Sequence, residues 1–253
     1  MDVIPIPHTH TDTDAILDLL YSHSMNLAAR CPLLDLFVGT LFIQFIGGIL
    51  YFIVLTNTGI VQFLYVTTKS FMLVMPFLLL FFGLQLPPFQ LRKNVLQSLV
   101  YGMVSGVAIS ALILAVFVMF HSTFVLYAEN ILSKVIDVGI LPYYLWAAIG
   151  MSLAHSLFEE YFWRWYVVRG LQTFISPQRA LLIGAGLFAL HHYIILSQFV
   201  PMGLTLLFGT CVGIGGWIWS WIYQKTDSVL GAWVSHAIVD ATIFAIGYLL
   251  ITG

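Results

Sequence analysis

Charged residues are scarce in this chain. Of its 253 residues only 8% are Asp, Glu, Lys or Arg, whereas an ordinary soluble domain carries roughly 25%. Hydrophobic residues make up 60% of the chain, and its mean hydropathy is +0.98. This scarcity of charge excludes an ordinary soluble domain and predicts an all-α protein, a polytopic bundle of transmembrane helices.

The chain also lacks basic tracts and a cysteine framework. Its formal net charge is −2 and no run of Lys or Arg occurs, so nucleic acid is not expected as a partner. The two cysteines, Cys31 and Cys211, stand far apart, which argues against disulfides or a thiolate metal site. A cleavable signal pattern is not expected either, because the first 35 residues are polar and acidic.

Long apolar runs are what the sequence does contain. A membrane span needs about 20 apolar residues, and this criterion predicts about seven spans, with six to eight possible. The predicted spans are Leu36 to Leu55, Phe71 to Leu86, Val95 to Phe120, Leu141 to Arg169, Ala180 to Gln198, Met202 to Tyr223 and Val229 to Ile251. In an alternative, the second span begins near Ile60 and carries Lys69 inside it.

The distribution of Lys and Arg predicts the orientation of the bundle. Six of these residues fall on the side of the membrane where the N-terminus lies, and two fall on the opposite side. The six are Arg30, Arg92, Lys93, Arg169, Arg179 and Lys225, and the two are Lys69 and Lys134. Because cytoplasmic loops carry the excess of positive residues, we expect the N-terminus in the cytoplasm. The tryptophans Trp163, Trp165, Trp217, Trp219 and Trp221 are expected to face lipid or the membrane interface.

Ionisable residues inside the predicted spans are concentrated on three of them. A charged side chain costs about 2.5–3.5 kcal/mol in a membrane, so it is rarely kept without a role. The fourth span contains "HSLFEEYFWRWYVVRG", the fifth "LFALHHYI" and the seventh "WVSHAIVDATIF". Counted from the predicted cytoplasmic ends, these groups lie roughly 14–20 Å deep, at 1.5 Å per helical residue. Three helices thus bring polar groups to one level, which predicts a shared hydrated pocket.

Spacing within the helices separates the two adjacent glutamates. Residues four apart share a helix face, so Glu160 is expected to pair with Arg164, and His236 with Asp240. Glu159 points about 100° away from Glu160 and can face the pocket. A carboxylate near histidines in such a site can act as a general base toward water.

At these residues the sequence resembles the CPBP family, the CAAX-protease and bacteriocin-processing (Abi) intramembrane endopeptidases. The family pattern is E-E-x-x-x-R, then F-x-x-x-H, then H-x-x-x-N or H-x-x-x-D. Here it reads Glu159 to Arg164, Phe188 to His192 and His236 to Asp240. The resemblance covers about residues 141–250. We therefore expect a polar cytoplasmic segment over 1–35, N-terminal transmembrane helices over 36–140 and a catalytic transmembrane domain over 141–252.

The resemblance implies a glutamate-dependent membrane protease. Glu159 and His192 would activate a water, and His236 with Asp240 would stabilise the oxyanion or orient other groups. Glu160 is a further catalytic candidate, while Arg164 and Phe188 would support the site. No cofactor is expected; zinc remains an alternative, with His192, His236, Glu159 and Asp240 as its ligands. Two further histidines are expected to serve packing or hydrogen bonding, His191 pointing away from the site and His155 on the face of Glu159.

One residue departs from the commoner family pattern. Many members have Asn where this chain has Asp240. Asn can donate a hydrogen bond to an oxyanion and an ionised Asp cannot. Asp240 would therefore be protonated, or would orient His236 instead.

The implied partners are the lipid bilayer and a membrane-associated peptide or protein substrate, with a multi-pass location in a bacterial plasma membrane. Two other functions are consistent with ionisable groups inside spans. A proton-coupled transporter also uses carboxylates and histidines near the midplane. A non-catalytic scaffold or immunity protein would keep the motifs for packing alone.

Overall fold

A computed structural model of the chain describes residues 33–55, 59–137 and 139–253. Within these ranges the chain forms helices and no strands, which confirms the predicted all-α class. Most of the predicted N-terminal segment, including Arg30 and Cys31, lies outside the described residues.

The described ranges contain nine helices, numbered here in chain order. They are α1 Leu33–Val54, α2 Val61–Phe81, α3 Val95–Met119, α4 His121–Val125, α5 Ala128–Asp137, α6 Leu141–Gln172, α7 Pro177–Leu196, α8 Met202–Thr226 and α9 Val229–Thr252. Of these, six are long and apolar enough to cross a membrane on their own. A seventh span results if α5 and α6, which are bent by 96°, count as one. The chain is a multi-pass integral membrane protein, as predicted.

The second span differs most from its predicted position. It was expected over Phe71 to Leu86, but α2 begins at Val61 and ends at Phe81. The alternative start near Ile60 is therefore the correct one, and Lys69 lies inside the helix. The Lys69 ammonium is accommodated by the rings of Tyr65 and Phe158, whose centroids lie 5.7 and 5.8 Å from Nζ.

Helices α3 and α9 are held at close range by glycine. A Cβ added to Gly102 would lie 2.5 Å from the carbonyl oxygen of Gly231, and one added to Gly231 would lie 2.6 Å from that of Ser98. Residues without side chains let transmembrane backbones approach this closely. The contact fixes the position of α9, the helix that carries His236 and Asp240.

An ion-pair network joins the ends of α6 and α8 to the segment before α3. Asp227, between α8 and α9, accepts from Lys93 Nζ at 3.0 Å and from Arg169 Nη2 at 2.5 Å. The hydrogen bond from Lys93 and the nearby Arg169 charge hold the pKa of the Asp227 carboxyl below its ordinary value. Asn94 adds a hydrogen bond from its side-chain amide to the Thr226 carbonyl at 2.9 Å.

Helix α6 is irregular where it carries the two glutamates. The stretch Ser156–Glu160 is α-helical, and it lies between the π-helical stretches Met151–His155 and Tyr161–Val168. Wider π-helical turns are rare and occur frequently at functional sites. They change how successive side chains are distributed around the helix axis.

The expected lipid-facing position is wrong for three of the tryptophans. Trp163, Trp165 and Trp219 are buried, with exposed fractions of 0%, 3% and 3%, whereas Trp217 is 42% exposed. The buried rings fill the space between helices around the charged groups. Trp165 also satisfies its ring N–H, which donates to the Pro87 carbonyl at 2.6 Å.

Candidate active site

Glu160 is fully buried and is held from two helices. Arg164 Nε donates to Oε2 at 2.9 Å and Arg164 Nη2 donates to Oε1 at 3.2 Å, the pair that the spacing predicts. From α9, Nδ1 of His236 lies 2.8 Å from Oε1. Glu160 and Arg164 are 0% exposed and His236 is 4% exposed. An ionised carboxylate only accepts, so Nδ1 of His236 carries the proton of this hydrogen bond.

The ring of His236 is fixed by aromatic neighbours. It stacks on Trp219 with centroids 4.1 Å apart, and Phe188 meets it edge-on at 6.1 Å. Because Nδ1 is committed to Glu160, Nε2 is the nitrogen that faces the other two carboxylates. It lies 3.5 Å from Oδ1 of Asp240 and 3.9 Å from Oε2 of Glu159.

Glu159 is buried but is not held in the same way. The residue is 2% exposed. Three imidazole Nε2 atoms surround its carboxylate, from His155 at 3.4 Å, His191 at 3.8 Å and His236 at 3.9 Å. Direct hydrogen bonds between charged groups are usually about 2.7–2.9 Å long. Contacts beyond about 3.5 Å are where a bridging water has to be considered. Glu159 therefore keeps oxygen lone pairs for a further partner.

The two histidines of α7 occupy different positions around this carboxylate. Nδ1 of His192 donates to the Phe188 carbonyl at 2.9 Å, and its ring packs on that phenyl ring at 4.4 Å. Nε2 of neutral His192 is therefore an acceptor. His192 interacts electrostatically with Glu159, although among the described ranges no carboxylate lies within 4.0 Å of it.

His191 was expected to point away from the site, but its Nε2 faces Glu159. It is 1% exposed, and its Nδ1 lies 3.5 Å from Nε2 of Gln44. If the Gln44 amide donates to Nδ1, the proton of neutral His191 is on Nε2 and points at the carboxylate. The hydrogen bond that was expected of His191 thus exists, and it links α1 to the site.

Two side chains of the N-terminal helices reach the cluster without having been anticipated. Gln44 of α1 is 0% exposed. Lys69 of α2 lies over Phe158 and interacts electrostatically with Glu159. The sequence signal for both was a polar residue within an apolar run, but no spacing rule connects either of them to the motifs of α6.

The charges of the described cluster nearly balance. Its members are three carboxylates, Glu159, Glu160 and Asp240, and two cations, Arg164 and Lys69. A net charge buried between helices is costly unless it is paired. One additional proton would neutralise the group, and His236, which lies within 4.0 Å of all three carboxylates, is best placed to carry it.

The four residues suggested as zinc ligands, His192, His236, Glu159 and Asp240, do not form a metal site. Over the described ranges, no three His, Cys, Asp or Glu side chains are arranged so that they could hold a metal ion. Two clefts of about 400 and 590 Å³ open elsewhere, one along α2 and one between α7 and α8, and neither is lined by a residue of the three motifs.

The fold and this cluster define a multi-pass helical membrane protein with an acid–imidazole site buried between its helices. Residues 141–242 match the family model described as type II CAAX prenyl endopeptidase Rce1-like. Over this segment the chain is similar to that Rce1-like family of CPBP proteases, and the match confirms the resemblance drawn from the three motifs. The match supports a CAAX-type intramembrane protease as the general class. No curated protein and no solved structure matches the chain.

The matched segment contains all three motifs, from Glu159 on α6 to Asp240 on α9. It does not contain α1 or α2, so Gln44 and Lys69 are contributions from outside the family match. They join the cluster only through the packing of the N-terminal helices.

Proposed function

We propose that this protein hydrolyses a peptide bond of a membrane-associated substrate with Glu159 as the general base. The observation that carries the proposal is the contrast between the two adjacent glutamates. Glu160 is bound at 2.8–3.2 Å by Arg164 and His236, whereas no imidazole comes closer to Glu159 than 3.4 Å. One carboxylate is committed to structure, and the other is available for water.

Water activation follows from the free acceptors at Glu159 and His192. A water that donates to the Glu159 carboxylate and to Nε2 of His192 would have its oxygen lone pair directed at a substrate carbonyl carbon. As the oxygen attacks, its proton passes to Glu159. When the tetrahedral intermediate collapses, Glu159 returns that proton to the leaving nitrogen, so the carboxylate is regenerated. General base catalysis of this kind contributes about 10²–10⁴-fold.

Stabilisation of the oxyanion is assigned to His236 in its doubly protonated form. Since Nδ1–H is used by Glu160, only the imidazolium has an N–H to donate at Nε2. The charge balance of the cluster favours that form. A preorganised donor in a site without bulk water is worth far more than one in solvent.

The role proposed for Asp240 follows from the same geometry. Its Oδ1 lies 3.5 Å from Nε2 of His236, which is the position of a counter-ion and not of an oxyanion donor. An ionised Asp240 can stabilise the imidazolium and orient it. The departure from Asn is thereby compatible with catalysis, because the donor is the imidazolium.

The proposal is tested by cleavage of a membrane-proximal peptide library by purified protein in proteoliposomes. Glu159→Gln keeps the size of the side chain and removes the base, so we expect kcat/KM to fall about 10²–10⁴-fold. Glu129→Gln, an exposed position on α5, is the matched control and should leave the rate unchanged. The thermal midpoint of each variant shows that it remains folded.

Four results would contradict this proposal. Full activity of Glu159→Gln would remove Glu159 as the base. Loss of wild-type activity with a chelator, restored by zinc, would favour the metal alternative over the glutamate mechanism. Proton-linked flux without any cleavage would favour a transporter, and an unchanged biological phenotype of Glu159→Gln would favour a scaffold.

A further inference from the structure

Lys69 lies at the same level of the bundle as Glu159. Helix α2 runs beside α6, and the Tyr161 hydroxyl donates to the Leu73 carbonyl at 2.9 Å. One helical turn earlier on each helix, Lys69 Nζ lies 5.8 Å from the centroid of Phe158, the residue next to Glu159. Two consecutive contacts therefore fix the register, and they bring the ammonium to the catalytic level and not to a membrane surface.

The ammonium of Lys69 lacks an anionic partner among the described residues. Its neighbours there are two ring faces, Tyr65 at 5.7 Å and Phe158 at 5.8 Å, within the usual range of cation–π contacts. No described carboxylate lies within 4.0 Å of Nζ, although Glu159 is near enough to interact electrostatically. The side chain is only partly buried, so a ligand can reach it.

The other cation of the site, Arg164, is fully buried. Nε and Nη2 of Arg164 donate to Glu160, and its guanidinium lies over Phe188 at 4.5 Å. Its Nη1 has no hydrogen-bond partner among the described residues, but the side chain is 0% exposed, so a ligand does not reach it. Among the described cations of the cluster, Lys69 is thus the one that is partly exposed and can receive an anionic ligand. A lysine that served only to reach the membrane surface would extend away from the polar cluster.

We propose that Lys69 binds the C-terminal carboxylate of the peptide substrate. The inference rests on the proposed function, and it assigns a recognition element that the motifs do not contain. A CAAX motif ends the chain three residues after its cysteine. Three extended residues span at most about 10 Å. The terminal carboxylate of such a substrate must therefore be bound close to the reacting groups, at the level where Lys69 lies.

The test compares two fluorogenic peptides that differ only at the C-terminus, one a free acid and the other an amide. The wild type should cleave the acid about 10- to 100-fold better, the range expected of one charged hydrogen bond. Lys69→Met should raise KM for the acid by that factor more than KM for the amide, so that the preference for the acid is lost. Lys69→Arg should keep the preference, and Lys134→Met on α5 is the control that should change nothing.

Two kinetic outcomes would overturn the assignment. One is a wild type that cleaves acid and amide equally well. The other is an equal loss for both peptides in Lys69→Met, which would indicate a structural or general electrostatic effect. Neither outcome bears on Glu159 as the base, because cleavage itself would still be observed.

A binding measurement keeps the assignment separate from catalysis. Glu159→Gln protein in nanodiscs is titrated with the two peptides, with and without Lys69→Met in the same chain. Tighter binding of the acid that disappears with Lys69→Met supports the carboxylate subsite, even if the wild type cleaves neither peptide. Equal binding of acid and amide by the Glu159→Gln protein refutes it.

Discussion

Replacing Arg164 by Met should be among the most destabilising single changes in this bundle. The guanidinium and the Glu160 carboxylate are each 0% exposed and share hydrogen bonds of 2.9 and 3.2 Å. Removing the cation leaves that carboxylate buried with His236 as its remaining partner. Breaking one side of a buried ion pair costs about 3–5 kcal/mol, because the other charge is left uncompensated. The contact of Arg164 with the Phe188 ring, at 4.5 Å, is lost as well.

The double variant separates the ion pair from ordinary packing. Glu160→Gln alone leaves the Arg164 charge buried and should also destabilise, whereas replacing both partners removes both charges. Replacement of a whole buried pair by uncharged groups is often close to neutral. We therefore expect Arg164→Met/Glu160→Gln to be more stable than Arg164→Met by about 2 kcal/mol or more.

The assay is reversible unfolding in mixed micelles with increasing SDS, followed by tryptophan fluorescence. Arg179→Met, at an exposed position on α7, is the control and should lie within about 0.5 kcal/mol of wild type. The reasoning fails if Arg164→Met is as stable as this control. It also fails if the double variant loses the sum of the two single effects, since that would show that the two charges do not interact.

Three further predictions concern packing, the site and pH. Gly231→Ala should destabilise the protein by about 1–3 kcal/mol, because the added Cβ would collide with a backbone carbonyl of α3. Gly150→Ala, which has open space around it, should not destabilise the protein. Equal unfolding midpoints for the two variants would contradict this. Gln44→Leu should lower kcat/KM about tenfold through its histidine partner, with an unchanged unfolding midpoint; unchanged kinetics would show that α1 does not act on the site. Asp227 has a depressed pKa, so the stability from its pair with Lys93 is present at neutral pH and lost as pH falls below the ordinary carboxyl value of 3.8. Because the side chain is 49% exposed, that stability is at most about 1 kcal/mol, and Asp227→Asn should abolish this part of the pH dependence of the unfolding midpoint; a variant with the wild-type pH profile would refute it.

The pairings within single helices could be predicted from the sequence. Glu160 with Arg164 and His236 with Asp240 are four residues apart, and a helix brings such residues onto one face whatever surrounds it. The membrane class follows in the same way from composition, since few charges and long apolar runs leave little alternative. The misplaced second span shows the limit of this approach. Hydropathy counts Lys69 as unfavourable inside a span, because it takes no account of the aromatic rings that surround the ammonium in the folded protein.

The arrangement between helices could not be predicted. The rotation of α7 about its axis determines that His191, and not His192, comes within 4 Å of Glu159, and the π-helical turns of α6 alter the directions of its side chains. Both depend on packing against other helices, which no periodicity in α6 or α7 contains. The burial of Trp163 and Trp219 has the same origin, because these rings fill gaps between helices around buried charges.

The sequence by itself determined that this protein spans a membrane and that three of its helices carry acids and imidazoles at a common depth. Both properties depend on local chemistry and on the fixed rise and period of a helix. Only the tertiary structure decided that His236 binds Glu160, and that Gln44 and Lys69 join the cluster from helices outside the family match. Those contacts depend on how helices distant in the sequence pack against one another, and the pattern within any one helix leaves that undetermined.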